Sequence, residues 1–175
     1  FVIYIINLYQ LLKMKSIKIS FVLLLLSARL FAQTNFSGTW AFNESKSNFG
    51  DSQFRMASSN MVVTQDANVL TAETTRPGMD GNEMKSTAKY NLDGTPTENP
   101  VFNNTMRKST VKWSADKTSI TIASTMTFDM DGESRTMNSS ETWKLAEGGK
   151  VLLLDSVMPG FDGGEMKTTA AYDKK

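Results

Sequence analysis

Between Glu83 and Leu92 the chain alternates without a break. Met84, Ser86, Ala88, Tyr90 and Leu92 fall on one face, and Glu83, Lys85, Thr87, Lys89 and Asn91 on the other. A period of two with charges confined to one side predicts an antiparallel strand covered on one face only. The same alternation recurs downstream. Ser109, Val111 and Trp113 oppose Lys108, Thr110 and Lys112; Ile120, Ile122, Ser124, Met126 and Phe128 oppose Thr121, Ala123, Thr125 and Thr127. Met137, Ser139, Glu141, Trp143 and Leu145 share a further face, and Met166, Thr168, Ala170 and Tyr172 the last one. Upstream, Phe36, Gly38, Trp40 and Phe42 line one side of an opening strand, Met61-Val62-Val63-Thr64 is a short apolar run, and Val69 to Arg76 pairs back on it.

Turn residues punctuate these runs. Asp66-Ala67-Asn68, Asp80-Gly81, Asp116-Lys117, Asp131-Gly132, Gly148-Gly149 and Asp162-Gly163 each supply the tight reversal of a hairpin. Two connections are longer: the polar stretch 43–54, a loop or a single helical turn, and 93–103, where Pro96 and Pro100 predict a loop. The count is about nine strands, within a range of eight to ten. A meander of this kind predicts an all-β fold, a single antiparallel up-and-down β-barrel, because closure removes the edges an open sheet exposes.

One hairpin is written twice. Arg76-Pro77-Gly78-Met79-Asp80-Gly81-Asn82-Glu83-Met84-Lys85-Ser86-Thr87-Ala88-Lys89-Tyr90 recurs as Met158-Pro159-Gly160-Phe161-Asp162-Gly163-Gly164-Glu165-Met166-Lys167-Thr168-Thr169-Ala170-Ala171-Tyr172, with ten of fifteen positions identical. Two copies do not make a solenoid. They predict two like hairpins in one closed sheet.

The first 32 residues follow another pattern. Met14-Lys15-Ser16-Ile17-Lys18 is basic, Ile19 to Leu26 is apolar, and Ala32 is a small residue before Gln33. This predicts a signal peptide over 14–32, cleaved near Ala32, and an exported domain over 33–175, periplasmic or secreted, with no stable membrane anchor after cleavage. Residues 1–13 precede that start and are read as an upstream extension foreign to the fold. Residues 1–32 hold four of the 19 basic side chains and no acid, so 33–175 carries 15 basic against 18 acidic groups. That balance gives no footprint for nucleic acid. There is no cysteine, so the fold rests on its core, and no histidine, the commonest general base and metal ligand.

Asn35-Phe36-Ser37-Gly38-Thr39-Trp40 resembles the Gly-x-Trp opening of lipocalins and other calycins, including the fatty-acid-binding and avidin-type barrels. The longer string from Phe36 to Gly50, with Tyr90-Asn91-Leu92-Asp93-Gly94 and Glu141-Thr142-Trp143-Lys144-Leu145, is similar to exported lipocalin-like bacterial proteins of unknown function. The resemblance implies that Trp40 plugs one end of the barrel. Lipocalins set an arginine from the last strand over this tryptophan; here that strand offers Lys167, Lys174 and Lys175. In the fatty-acid-binding barrels arginine and tyrosine groups receive a ligand carboxylate, which implies the same for Arg107, Arg135, Tyr90 and Tyr172. Trp113, Met126 and Glu141 share the inward faces and complete the candidate ligand-binding set. The alternative for the charged members is a structural ion pair, or arginines at the rim pointing to water.

Chemistry beyond binding has little support. No triad and no phosphate loop is present, and no cofactor is implied. Glu141 and Asp155 are the candidate carboxylate pair. Asp80, Asp131 and Asp162 suggest calcium, but turn chemistry explains Asp-Gly, and the strand count puts Asp80 at the end of the barrel opposite the other two. The abundant methionines suit an adaptable apolar pocket as well as ordinary core filling. Three functions remain open: binding a small apolar or amphipathic ligand inside the barrel, a structural or interaction module filled by its own side chains, and a calycin-type hydrolase or isomerase.

Overall fold

A computed structural model of the chain describes residues 33–50, 57–78, 81–102, 105–130, 132–160 and 163–175. The signal peptide and upstream extension over 1–32, and the turn residues Asp80, Asp131 and Asp162, lie outside them. The described residues form ten strands: β1 (Gly38–Phe42), β2 (Asn60–Gln65), β3 (Val69–Pro77), β4 (Glu83–Asn91), β5 (Thr97–Pro100), β6 (Met106–Trp113), β7 (Ser119–Met130), β8 (Glu133–Ala146), β9 (Val151–Pro159) and β10 (Glu165–Lys174). Each strand pairs antiparallel with the next, except β4 with β5, and β1 pairs with β10, so the meander curls into a nearly closed barrel.

The tenth strand corrects the sequence reading. β5 lies inside 93–103, read as a loop because of its prolines. Pro96 and Pro100 do bracket it, and they keep it to four residues, but Thr97 to Pro100 still pair with β6. The extra strand reverses the parity of everything before it. The β3–β4, β7–β8 and β9–β10 hairpins therefore all turn at the same end of the barrel, not at opposite ends.

Between β4 and β5 the backbone ladder is missing, and a side chain replaces it. The carboxamide of Asn99 accepts from the Lys89 N–H (2.8 Å) and donates to the Lys89 carbonyl (2.9 Å). An amide offers the same donor and acceptor as a peptide group. Asn99 is only 4% exposed, so both bonds are partly shielded from water.

Aromatic packing fills the other end. Trp40 is fully buried, and its indole N–H donates to the Phe36 carbonyl (3.0 Å). Phe36 stacks on Trp113 at 6.2 Å and meets Trp143 edge-on at 6.1 Å. The last strand covers Trp40 with a lysine where lipocalins use arginine: Lys174 Nζ lies 5.3 Å from the ring centroid. Gly38 makes room for this. A Cβ there would stand 3.0 Å from Lys174 Cε and 3.4 Å from the indole. Beyond β1 the chain stays against β10. Asn48 and Thr169 exchange backbone hydrogen bonds of 2.8 and 2.6 Å, and Ser47 Oγ accepts from the Ala171 N–H, so the free edge of β10 is covered. The polar stretch after β1 includes one 3-10 turn, Glu44–Lys46.

These contacts set an order of stability. Trp40→Ala is expected to cost about 3–5 kcal/mol, and Lys174→Ala about 0.5–1 kcal/mol, the worth of an exposed cation over an aromatic face. Asn99→Ala strands two part-buried backbone groups of Lys89 and is expected to cost about 1 kcal/mol. Urea midpoints measure all three. Hydrogen exchange at the Lys89 amide should accelerate in Asn99→Ala and not in Lys174→Ala.

Candidate functional site

The repeated hairpin builds most of a cavity of about 240 Å³. Its two copies turn in the same way: Gly78 N–H bonds to Asn82 O (2.7 Å) and Gly81 N–H to Gly78 O (3.2 Å), while Gly160 bonds to Gly164 (2.8 Å) and Gly163 to Gly160 (3.2 Å). Gly81 and Gly163 have φ of +81° and +82°, a left-handed conformation that other residues adopt at a cost. From these turns the inward rungs run in parallel. Arg76 faces Met84, Thr74 faces Ser86, Ala72 faces Ala88 and Leu70 faces Tyr90. In the second copy Met158 faces Met166, Ser156 faces Thr168, Leu154 faces Ala170 and Leu152 faces Tyr172. The middle rungs carry small side chains, and the space lies between them. Met84, although on an inward rung, is 65% exposed and lines nothing.

Four of the candidate residues meet at this cavity: Tyr90, Arg107, Glu141 and Tyr172. Arg107 comes from β6 and reaches across the β4–β5 seam, where Nη2 donates to the Tyr90 phenol oxygen at 3.1 Å. Its Nε is buried and has no partner. Glu141 comes from β8. Its Oε1 accepts from the Trp143 indole N–H (2.5 Å) and its Oε2 from Ser156 Oγ (3.2 Å). The Tyr172 hydroxyl accepts from the Ser58 N–H (3.2 Å).

Burial pushes the Tyr90 phenol above its ordinary value; the Arg107 charge opposes this and the Glu141 charge adds to it. Burial also pushes Tyr172 up, to about 12, against the Ser58 hydrogen bond and the Arg76 charge, with Glu141 again raising it. Both phenols are thus held neutral at the cavity wall, as hydrogen-bonding groups.

The remaining candidates fall elsewhere. Arg135 is on the inward parity, but β8 pairs with β9 only from Ser140 onward. Arg135 therefore sits on a two-stranded ribbon of β7 and β8 with no wall opposite, 55% exposed and 3.7 Å from Glu133. Trp113 belongs to the aromatic end; its indole N–H is buried without a partner, and Lys117 Nζ lies 6.0 Å from its ring. Met126 is buried opposite Arg107 and packs the wall without reaching the cavity. The Glu141–Asp155 pair does not exist. Thr142 is the residue facing Asp155, so the two carboxylates are on opposite faces of the sheet. Partial burial works to raise the Asp155 carboxyl, but hydrogen bonds from Lys144 and Thr169 hold it below its ordinary value. Among the described residues no three acidic, histidine or cysteine side chains gather as metal ligands.

The sequence reading passed over Arg76, Ser156, Met158 and Trp143 as lining residues. The repeat carried the signal. Ser156 and Met158 occupy the positions of Thr74 and Arg76, and every inward residue of one copy has its counterpart in the other.

The shifted phenols make a test at high pH. The chain has four tyrosines, Tyr4, Tyr9, Tyr90 and Tyr172, of which protein spanning 33–175 retains the last two. Below pH 10 both states hold the phenol protons. Above it the unfolded chain ionises while the fold resists. Stability is therefore expected to fall as pH rises from 10 toward 12. Ultraviolet titration should find no phenol ionising at the ordinary value while the protein stays folded; one that does would contradict the buried pair.

The chain matches no family model. No curated protein matches it either. Among solved structures it is similar to the zebrafish ileal bile acid-binding protein in complex with cholic acid, at 14% identity and a TM-score of 0.51, over 81% of this chain and 100% of that one. At that identity the likeness concerns the fold alone: an all-β barrel of ten antiparallel strands.

Proposed function

We propose that this protein binds a small amphipathic molecule inside the barrel, with the anionic group of the ligand received by Arg107 and Tyr90. The observation that carries the proposal is the Arg107 guanidinium. It stands at the wall of the cavity, its hydrogen-bond partner among the described residues is a neutral phenol, and its Nε is buried without an acceptor among them. Leaving a buried donor of a charged group without an acceptor is costly, and an anionic ligand supplies one. The neighbouring barrel solved with cholic acid supports the same class of ligand. The cavity favours this reading over a barrel filled by its own side chains. Its volume of about 240 Å³ is modest, roughly eight water volumes at ~30 Å³ each, and argues for a compact ligand. We also propose that the domain is exported after cleavage near Ala32, on the strength of the basic and apolar segments before it.

Native mass spectrometry of protein purified from its own host should reveal a co-purifying small molecule. Calorimetric titration with octanoate checks the head-group assignment. Arg107→Ala is expected to weaken binding about 10- to 100-fold, the worth of hydrogen bonds to a charged group. Equal affinity in Arg107→Ala and the parent would overturn the assignment.

A further inference from the structure

Arg107 and Glu141 are opposite charges facing one cavity, and they are not paired with each other. The ion pairs among the described residues are at the surface, such as Lys46 with Glu147 and Asp173, and Lys144 with Asp155. Among the described residues neither Arg107 nor Glu141 enters an ion pair. Arg107 is held by a phenol, Glu141 by an indole N–H and a hydroxyl. These neutral partners orient the charges without cancelling them.

The register keeps the two apart. Arg107 stands opposite Met126, and Met126 opposite Met137. Glu141 is four residues further along β8, so the two backbones are separated by roughly 13 Å along the strands and roughly 10 Å across them. The Glu141 pole has features of its own. Each carboxylate oxygen accepts one hydrogen bond and keeps capacity for another. Trp143 and Tyr172 line the same cavity, and aromatic faces attract cations, most strongly where water is excluded. Glu141 also acts on both phenols, raising Tyr90 and Tyr172, so its charge is felt on both hairpin walls.

We propose that the ligand is a zwitterion. Its anionic group binds Arg107 and Tyr90, and an ammonium group binds Glu141, framed by Trp143 and Tyr172. This rests on the reading of the cavity as a ligand site and adds a second, cationic pole to it. A ligand carrying both charges compensates both half-buried groups at once. A simple anion leaves Glu141 uncompensated and adds a second negative charge to its cavity.

Three eight-carbon compounds test this by calorimetric titration: octanoate, octylammonium, and 8-aminooctanoate, which carries a carboxylate and an ammonium at opposite ends of its chain. The parent protein is expected to bind 8-aminooctanoate about tenfold or more tighter than either singly charged compound. Glu141→Gln should erase that preference and strengthen octanoate binding, with the fold checked by circular dichroism. If octanoate binds the parent as tightly as 8-aminooctanoate, or if a folded Glu141→Gln variant keeps the preference, the zwitterion is overturned while the anion site stands. If none of the three binds, the cavity is not a site for such ligands and both proposals fall. The comparison among the three on the parent protein stands even where the variant does not fold.

Discussion

The barrel depends on one aromatic contact: Trp40, fully buried, bonded to the Phe36 carbonyl and capped by Lys174. β1 carries that indole and joins the two halves of the meander, pairing with β2 on one side and β10 on the other. Through Phe36 the contact extends to Trp113 and Trp143, so strands from across the sheet converge on one end. With no cysteine in the chain, no covalent tie shares this task. Burial of large aromatic surfaces is the strongest device left to a fold without disulfides.

With one end packed, the other is free to be spacious, and side-chain size decides where the space lies. The two copies of the hairpin place Ala72, Ala88, Ala170, Ser86 and Thr168 at mid-barrel, where a sealed core would call for leucine or isoleucine. Toward the packed end the same strands carry Leu70 and Leu152, both fully buried. The change from large to small along β3, β4 and β10 divides the interior into core and cavity; on β9 Leu154 keeps one large side chain at mid-barrel. Duplication of one hairpin gives that boundary the same height on two walls.

Much of this was legible because alternation is a strong signal in a half-buried strand. Parity alone put Tyr90, Arg107, Glu141 and Tyr172 on inward faces, and they meet at one cavity. It failed where its assumption of a continuous wall failed. Arg135 has the right parity but stands on a ribbon that no strand opposes. Asp155 has the wrong parity relative to Glu141, which an apolar run from Val151 to Leu154 concealed, since it shows no alternation. β5 was hidden by its prolines, and with it the true end of the β3–β4 turn. The seam it borders was beyond reach: nothing local distinguishes Asn99, whose amide substitutes for a ladder, from an asparagine in a loop.

The seam and the cavity charges share a physical logic. At Asn99 a missing backbone interaction is restored by a side chain, and every group involved is satisfied. At Arg107 and Glu141 the same fold leaves charges without counter-charges, although lysine–carboxylate pairs are common on its surface. The cost of that arrangement falls on the folded protein, because a half-buried charge held only by neutral partners recovers less of its desolvation than one facing a counter-charge. Rotating either side chain does not remove the cost, since the register of β6, β7 and β8 separates their backbones. Under the proposed reading the compensating group comes from outside the chain, and its charges match both poles. The electrostatics of the interior then restrict the proposed ligand more narrowly than the volume of the cavity does.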